Sequence, residues 1–437
     1  MQEKRRLPML NRLDAPSING IGNISLEKPE EINFSNGLKV FVFNAPEQEL
    51  IKAEFVFNNV FEGDENPVRN TALSSMLKEG TSTLNSAQIA ENIDFYGAYL
   101  VPEFSFDQNA LTLYTLGKHI DAVLPIVNDI LNNSIFPQQE LDTYIRNNKQ
   151  SLQISMEKTD FVARRRFYKQ LFGDTRYGNA VTEQLLQDLD RADLIRLYKQ
   201  QIQPKNATLF LSGNITTEVL KSFRNYFEDQ WTGDVQIEKL PFVQKLDHSP
   251  EILQIEKKGA LQSSIRLGKI GIQRAHADYP ALQFVNTLFG GFFGSRLMSN
   301  IREDKGYTYS IGSMVANLNH AGFISIATDV GSEYTEDTLK QIGLESKRLQ
   351  DEKVNEEELE LVRNYMLGSM LGSLESIFSH VDKFKSVYYS GLNLDYYTYY
   401  SNVVRGITAD HVQDIAQKYL GMDEMVKVVV GNSFNKI

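Results

Sequence analysis

The sequence predicts an α+β protein made of two homologous α/β-sandwich domains related by duplication, each with a mostly antiparallel sheet packed on helices. Three observations lead there. The chain has 437 residues, more than one hydrophobic core serves. Strand-like segments come in runs followed by runs of helix, the pattern of an α+β layer rather than of a doubly wound parallel sheet. A closing strand that ends on Gly-Asn occurs twice, at residues 208–214 and 426–432, 218 positions apart, as duplication of a domain of roughly 200 residues would produce.

The first half opens as a meander. Residues 31–35, the Asn36-Gly37 pair and residues 38–43 read as a hairpin, because Asn-Gly suits a type I′ turn. A third strand is expected over 50–58. Helices follow over 68–78 and 86–96, the second with Ser86 as N-cap, Ile89 and Ile93 on one face and Gly97 past its end. Strands over 99–104 and 110–116 precede long helices from 120 to 172, then a helix over 192–201 and the closing strand.

The second half repeats this order. Strands are expected over 251–256 and 263–269, helices over 279–289 and 295–302, and strands over 307–315 and 322–329. Long helices from 335 to 373, a final helix over 409–419 and the strand at 426–430 complete it. Tyr99 and Tyr309 fall at matching places in the two halves. The intervening stretch, Glu228 to Pro250, carries Trp231, charged residues and two prolines without a period, and reads as a linker. The expected division is therefore an N-terminal arm (1–30), a first domain (31–227), a linker (228–250) and a second domain (251–437).

The net charge of −11 disfavours nucleic acid and anionic membrane as partners, since their phosphates would be repelled. No apolar run approaches the roughly 18 residues needed to cross a bilayer. The basic N-terminal residues are not followed by an apolar stretch of secretory type. With no cysteine in the chain, disulfides, Cys-ligated zinc and thiol catalysis are excluded, and a cytoplasmic location is expected.

Chemistry is conspicuous by what is missing. The six histidines are His119, His248, His276, His320, His380 and His411. No two lie three to five residues apart, so no helix can present paired imidazoles to a metal. Ser75-Met76-Leu77-Lys78 matches the S-x-x-K pattern of a lysine-activated serine, but the same pattern recurs in the tail at Ser433–Lys436 and no Lys-Thr-Gly element accompanies it. Neither phosphate-binding glycine motif is present.

The segment from Gly290 to Ser310 reads GGFFGSRLMSNIREDKGYTYS. It resembles the second-half signature of the insulinase/pitrilysin zinc peptidases, which include the mitochondrial processing peptidase. There a Gly-rich turn leads to a helix, and an Arg is followed seven residues later by a Tyr that marks the next strand. Arg302 and Tyr309 occupy those positions. Met76-Leu77-Lys78-Glu79-Gly80-Thr81 is similar to the segment that follows the family's H-x-x-E-H zinc motif. The resemblance covers nearly all of the chain after about residue 30.

The motif itself is lost. Thr71, Ser74 and Ser75 stand at the positions of the first His, the Glu and the second His, and residues 148–156 contain no acid to serve as third ligand. Neutral hydroxyls are poor zinc ligands, and no carboxylate is left to activate a bound water. The resemblance therefore implies no metal on this chain, with zinc expected in a partner. It implies a non-catalytic, substrate-binding subunit that supplies Arg302 and Tyr309 to a peptide held by a zinc-bearing paralogue, in a heterodimer or, failing that, a homodimer. Gly290, Gly291 and Gly294 are the expected substrate-facing turn. A purely structural subunit is the alternative, and an active metallopeptidase conflicts with the ligand count.

Overall fold

The computed structural model describes residues 21–22, 24–61, 66–233 and 252–432. In the first half the order is β1 (Glu30–Asn33), β2 (Lys39–Asn44), β3 (Leu50–Asn58), α1 (Val68–Met76), α2 (Ser86–Phe95), β4 (Tyr99–Phe104), β5 (Gln108–Leu116), α3 (Ile120–Asn133), α4 (Gln138–Met156), α5 (Thr159–Phe172), α6 (Glu183–Gln187), α7 (Arg191–Gln201), β6 (Ala207–Gly213) and α8 (Thr217–Arg224). The second half runs β7 (Ile252–Glu256), β8 (Gln262–Gly271), α9 (Tyr279–Asn286), β9 (Ile311–Asn317), β10 (Gly322–Gly331), α10 (Thr335–Asp351), α11 (Glu356–Gly372), α12 (Ile377–Tyr388), α13 (Asp395–Gly406), α14 (Ala409–Tyr419) and β11 (Val426–Gly431).

The duplication is plain in the sheets. The first has the order β1-β2-β6-β3-β5-β4 and the second β7-β11-β8-β10-β9. Without the extra edge strand β1, the two orders coincide. Each has one parallel pair in the same place, β2 with β6 and β7 with β11, and every other pairing is antiparallel. The repeated Gly of the closing strands has a steric reason. A Cβ on Gly213 would lie 2.2 Å from the Leu50 carbonyl, at a φ of +116°, and one on Gly431 would lie 2.4 Å from the Ser263 hydroxyl.

Each sheet covers one face with helices of its own half. On β3, Ile51, Ala53, Phe55 and Phe57 join the first core with Val123, Val127 and Leu209. On β11, Val429 joins the second core with Ile265, Ile326 and Ile415. The opposite faces are closed reciprocally. Helix α12 of the second half lays Ile377, Val381, Phe384 and Tyr388 on Phe41, Phe43, Val56 and Phe210 of the first sheet. Helix α5 of the first half lays Val162, Ala163, Phe167 and Leu171 on Phe323, Val426, Val428 and Val430 of the second. A strand packed on both faces reads as an unbroken apolar run rather than an alternation, and β6 is buried along its whole length.

Several expectations need correction. The N-cap of α2 is Asn85, not Ser86, and it forms a capping box with Gln88. The long helices expected from 120 to 172 are present as three, with the first break at Phe136, whose φ is +48°, and Pro137. The strand expected from Tyr307 begins only at Ile311. Helices α12 and α13, over residues 377–406, were not foreseen. At the expected start of the linker, Glu228 lies within a π-helical turn, Asn225–Asp229, and Trp231 is fully buried against Phe55, Phe57 and Phe227. Residues 234–251 lie outside the described set, as does the tail serine at 433. The N-terminal arm sits on the second half. Ile21 and Ile24 pack on its core, the Gly22 carbonyl accepts from Arg405 at 2.6 Å, and the Glu27 N–H donates to His380 Nδ1 at 3.1 Å. Among the described residues, no helix is long and apolar enough to cross a membrane.

Candidate functional site

Helix α1 carries the three degenerate motif positions. Its start is fixed by Asn66 Oδ1, which accepts from the Val68 N–H at 3.0 Å. Thr71 and Ser75 are one turn apart on one face, where paired metal ligands would stand. The Thr71 hydroxyl donates instead to the Pro67 carbonyl at 2.9 Å, Ser74 is buried, and Ser75 hydrogen-bonds the Tyr144 hydroxyl of α4. Burial raises the Tyr144 pKa, and the bond to Ser75 offsets part of that rise. The described residues contain no group of three His, Asp or Glu side chains placed to hold a metal. Zinc does not fit this site. The S-x-x-K reading of Ser75 also fails, because the Lys78 ammonium donates to the Leu100 carbonyl at 3.3 Å.

The lost metal position opens on a cavity of about 570 Å³. Thr71 of α1 and Asn148 and Ser151 of α4 line it, so the structure does bring together the segments that would have supplied the ligands. Its other walls are aromatic, from Phe104, Phe106 and Phe161, with Arg164 and Arg165 on α5 as the charged groups. Burial, with the neighbouring Arg166, holds the Arg165 guanidinium below its usual pKa. No Asp or Glu is among the lining residues. Arg165 escaped the sequence reading; the run Arg164–Arg166 on an otherwise amphipathic helix is the signal that could have marked it.

Arg302 and Tyr309 lie in the second half and are not in the wall of this cavity. Arg302 belongs to a π-helical turn, Met298–Asp304, a geometry common at functional sites. The turn is anchored on one side by the fully buried Ile301 and just before it by Arg296, bonded through Nε and Nη2 to both carboxylate oxygens of Glu358 at 2.8 and 2.9 Å. Among the described residues Arg302 forms no ion pair. Its guanidinium lies 4.7 Å from the centre of the Phe293 ring, a surface cation–π contact.

Tyr309 is 89% exposed, in a loop whose neighbours are fixed. The Thr308 hydroxyl donates to the Asp329 carbonyl at 2.7 Å. The Tyr307 hydroxyl donates to Asp337 at 2.9 Å, and its ring stacks on Tyr334 at 4.3 Å. An anchored loop thus presents a phenol that packs on almost nothing. The glycine turn divides. Gly290 is buried, and a Cβ there would meet Ser313 Oγ at 2.6 Å and its N at 2.8 Å, so its missing side chain lets helix approach strand β9 within the domain. Gly291 and Gly294 lie on the surface.

Comparison with known proteins agrees with this geometry. Residues 188–366, which include the glycine turn, Arg302 and Tyr309, match the family described as peptidase M16 inactive domain. Over its length the chain resembles the insulinase/pitrilysin, or M16, peptidases. Among M16 relatives, an uncharacterised zinc protease of Bacillus subtilis, YmxG, is 24% identical over 314 residues, covering 71% of this chain and 75% of that one. The non-peptidase homologue YmxG of Helicobacter pylori is 22% identical over 368 residues, covering 82% and 83%. The crystal structure of a peptidase M16 inactive domain from Pseudomonas fluorescens superposes with a TM-score of 0.81 at 21% identity, covering 94% of this chain and 99% of that one. With Thr71, Ser74 and Ser75 at the ligand positions, this chain is an inactive homologue of the M16 peptidases.

Proposed function

We propose that the chain is the non-catalytic, substrate-binding subunit of a two-chain zinc peptidase, and that it presents Arg302 and Tyr309 to a peptide held at the zinc of a partner subunit. The observation that carries this reading is that neither polar end is committed within the chain: Arg302, half-buried and resting on the Phe293 ring, meets no carboxylate among the described residues, and Tyr309 is 89% accessible on a pinned loop. A structural role would bury them or pair them.

Chemically the two side chains suit a carbonyl oxygen that gains negative charge. The guanidinium brings a permanent charge and a planar fork, and the phenol a neutral hydroxyl donor. Donors fixed in place before charge develops lower the barrier without reorganising, which is what the Arg296–Glu358 and Thr308–Asp329 anchors provide. Gly291 and Gly294 keep the adjoining surface low for an extended peptide. The partner's metal would activate the water; this chain would bind and orient the peptide.

The test is reconstitution with an M16 paralogue that keeps H-x-x-E-H. Arg302→Ala and Tyr309→Phe should each lower kcat about 10²–10³-fold, with stability changed by no more than about 0.5 kcal/mol. Unchanged turnover in both variants, or melting temperatures that fall while turnover holds, would instead establish a scaffold role.

A further inference from the structure

The duplication extends to the cavities. A second cavity, of about 320 Å³, lies among α9, α11, α12 and α13 of the second half. Its lining repeats that of the first-half cavity at the same 218-residue offset as the closing strands. Ser151 and Ser369, Ser155 and Ser373, Leu152 and Met370, and Arg165 and Lys383 are matched pairs, each with one member in either wall. A cation therefore sits at one equivalent position in both halves, in a chain whose net charge is −11.

What the cation does differs. In the first half Arg165 donates through Nη1 to the Val181 carbonyl at 2.7 Å, so its own chain occupies it. In the second half Lys383 forms no ion pair among the described residues, and a second cation, Arg274, joins it in the wall. The Arg274 backbone is held by Asn317, whose Oδ1 accepts from its N–H at 2.7 Å. Its Nε is buried without a hydrogen-bond partner, an arrangement that costs stability unless a ligand supplies the acceptor. No Asp or Glu lines the cavity. Tyr396 and Tyr400 do, and neither hydroxyl has an acceptor among the described residues.

We propose that this second-half cavity is a binding site for a small phosphate-type dianion, clasped by Arg274 and Lys383 with Tyr396 and Tyr400 as neutral donors. Two unpaired cations match a dianion better than a single carboxylate, and a cavity of about 320 Å³ is at the small end of ligand sites. Every free polar group named is a donor, which suits an acceptor-only ligand. Burial lowers the Lys383 pKa and Arg274 lowers it further, with Asp382 outside the cavity wall offsetting part of the fall, and a bound dianion would relieve the repulsion between the two cations. Burial also raises both phenols, so they remain protonated donors.

The experiment is calorimetric titration of the full chain with inorganic phosphate and, separately, with glycerol phosphate, against sodium chloride at matched ionic strength. One saturable site is expected, weakened at least tenfold by Arg274→Gln or Lys383→Gln and unchanged by Arg165→Gln. Tighter binding of the ester would identify a phosphorylated metabolite, and equal or weaker binding free phosphate. Absence of saturation with both probes, or affinity retained in the two variants, would overturn the proposal. Should either variant fail to fold, acylation of Lys383 in the unmodified chain decides: phosphate should slow it, and an unchanged rate would count against the site.

Discussion

The two crossing helices make the same move with different chemistry. Where α5 meets the second sheet the contact is apolar but for one hydroxyl pair at the start of the helix, Ser264 donating to Thr159 at 2.9 Å, and Phe167 is seated where a Cβ on Gly268 would lie 2.6 Å from its ring. Where α12 meets the first sheet, an aromatic cluster of Phe41, Phe210 and Phe384 stands beside a charged quartet. Lys52 and Glu54 on β3, both buried, pair with each other at 3.1 Å. Lys385 on α12 pairs with Glu54, and Asp382 on α12 reaches Lys52 at 3.4 Å and Lys385 at 3.2 Å. Duplication thus conserved the geometry of the crossing, not its interactions. One interface carries no ion pair among the described residues; the other sets its register by charge, since α12 displaced by a turn would leave Glu54 facing no second lysine.

Three substitutions or conditions break this comparison, in falling order of effect. Phe167→Ala should destabilise the chain by about 3–5 kcal/mol, the usual cost of emptying a buried aromatic site, read as a lower urea midpoint. Glu54→Gln should cost about 3 kcal/mol, the low end for a broken buried pair, because Asp382 stays beside both lysines. Replacing Glu54 and Lys52 together with apolar residues of similar size should recover much of that loss; a double variant as unstable as Glu54→Gln would refute the charge account. The smallest effect is alkaline. Burial works against the Lys52 charge, but Glu54, Asp382 and Tyr114 together outweigh it and raise its pKa. A group whose pKa is raised on folding contributes in full below its unfolded value, about 10.4, and loses that contribution as pH rises through the folded value. Urea midpoints of the native chain should therefore fall at high pH more steeply than those of Lys52→Met, and parallel curves would show that Lys52 is not the group responsible.

Local pattern was enough for much of the fold. The bounds of β3, β4 and α14 were read to the residue, because each is a complete amphipathic or apolar run between turn residues. Helix α12 was missed although Ile377, Val381, Phe384 and Tyr388 keep helical spacing. Its apolar stripe belongs to a sheet more than 150 residues earlier, and the tyrosine-rich stretch after it has weak helix propensity. Trp231 misled for a similar reason, since its polar neighbours describe the chain's exit and not its own buried ring. At the site, the loss of the metal motif was legible because ligand chemistry is fixed by residue type. The internal use of Gly290 and the cavity cations Arg165 and Lys383 were not, because they depend on what the fold brings opposite them.

The reciprocal crossing also sets a timetable. On the ribosome the outer face of the first sheet, with Phe41, Phe43 and Phe210, is complete once β6 has emerged, but its cover, α12, follows more than 160 residues later. The arm waits longer still, because the Gly22 carbonyl meets Arg405 across 383 residues of chain. At about 5–20 residues per second, that interval lasts on the order of 20–80 s. The sheet's own wait, over the shorter stretch from β6 to α12, is about 8–30 s at the same rate, and for that time the nascent first domain is a half-closed sandwich with phenylalanines facing water. The earliest residues described are among the last to find their place.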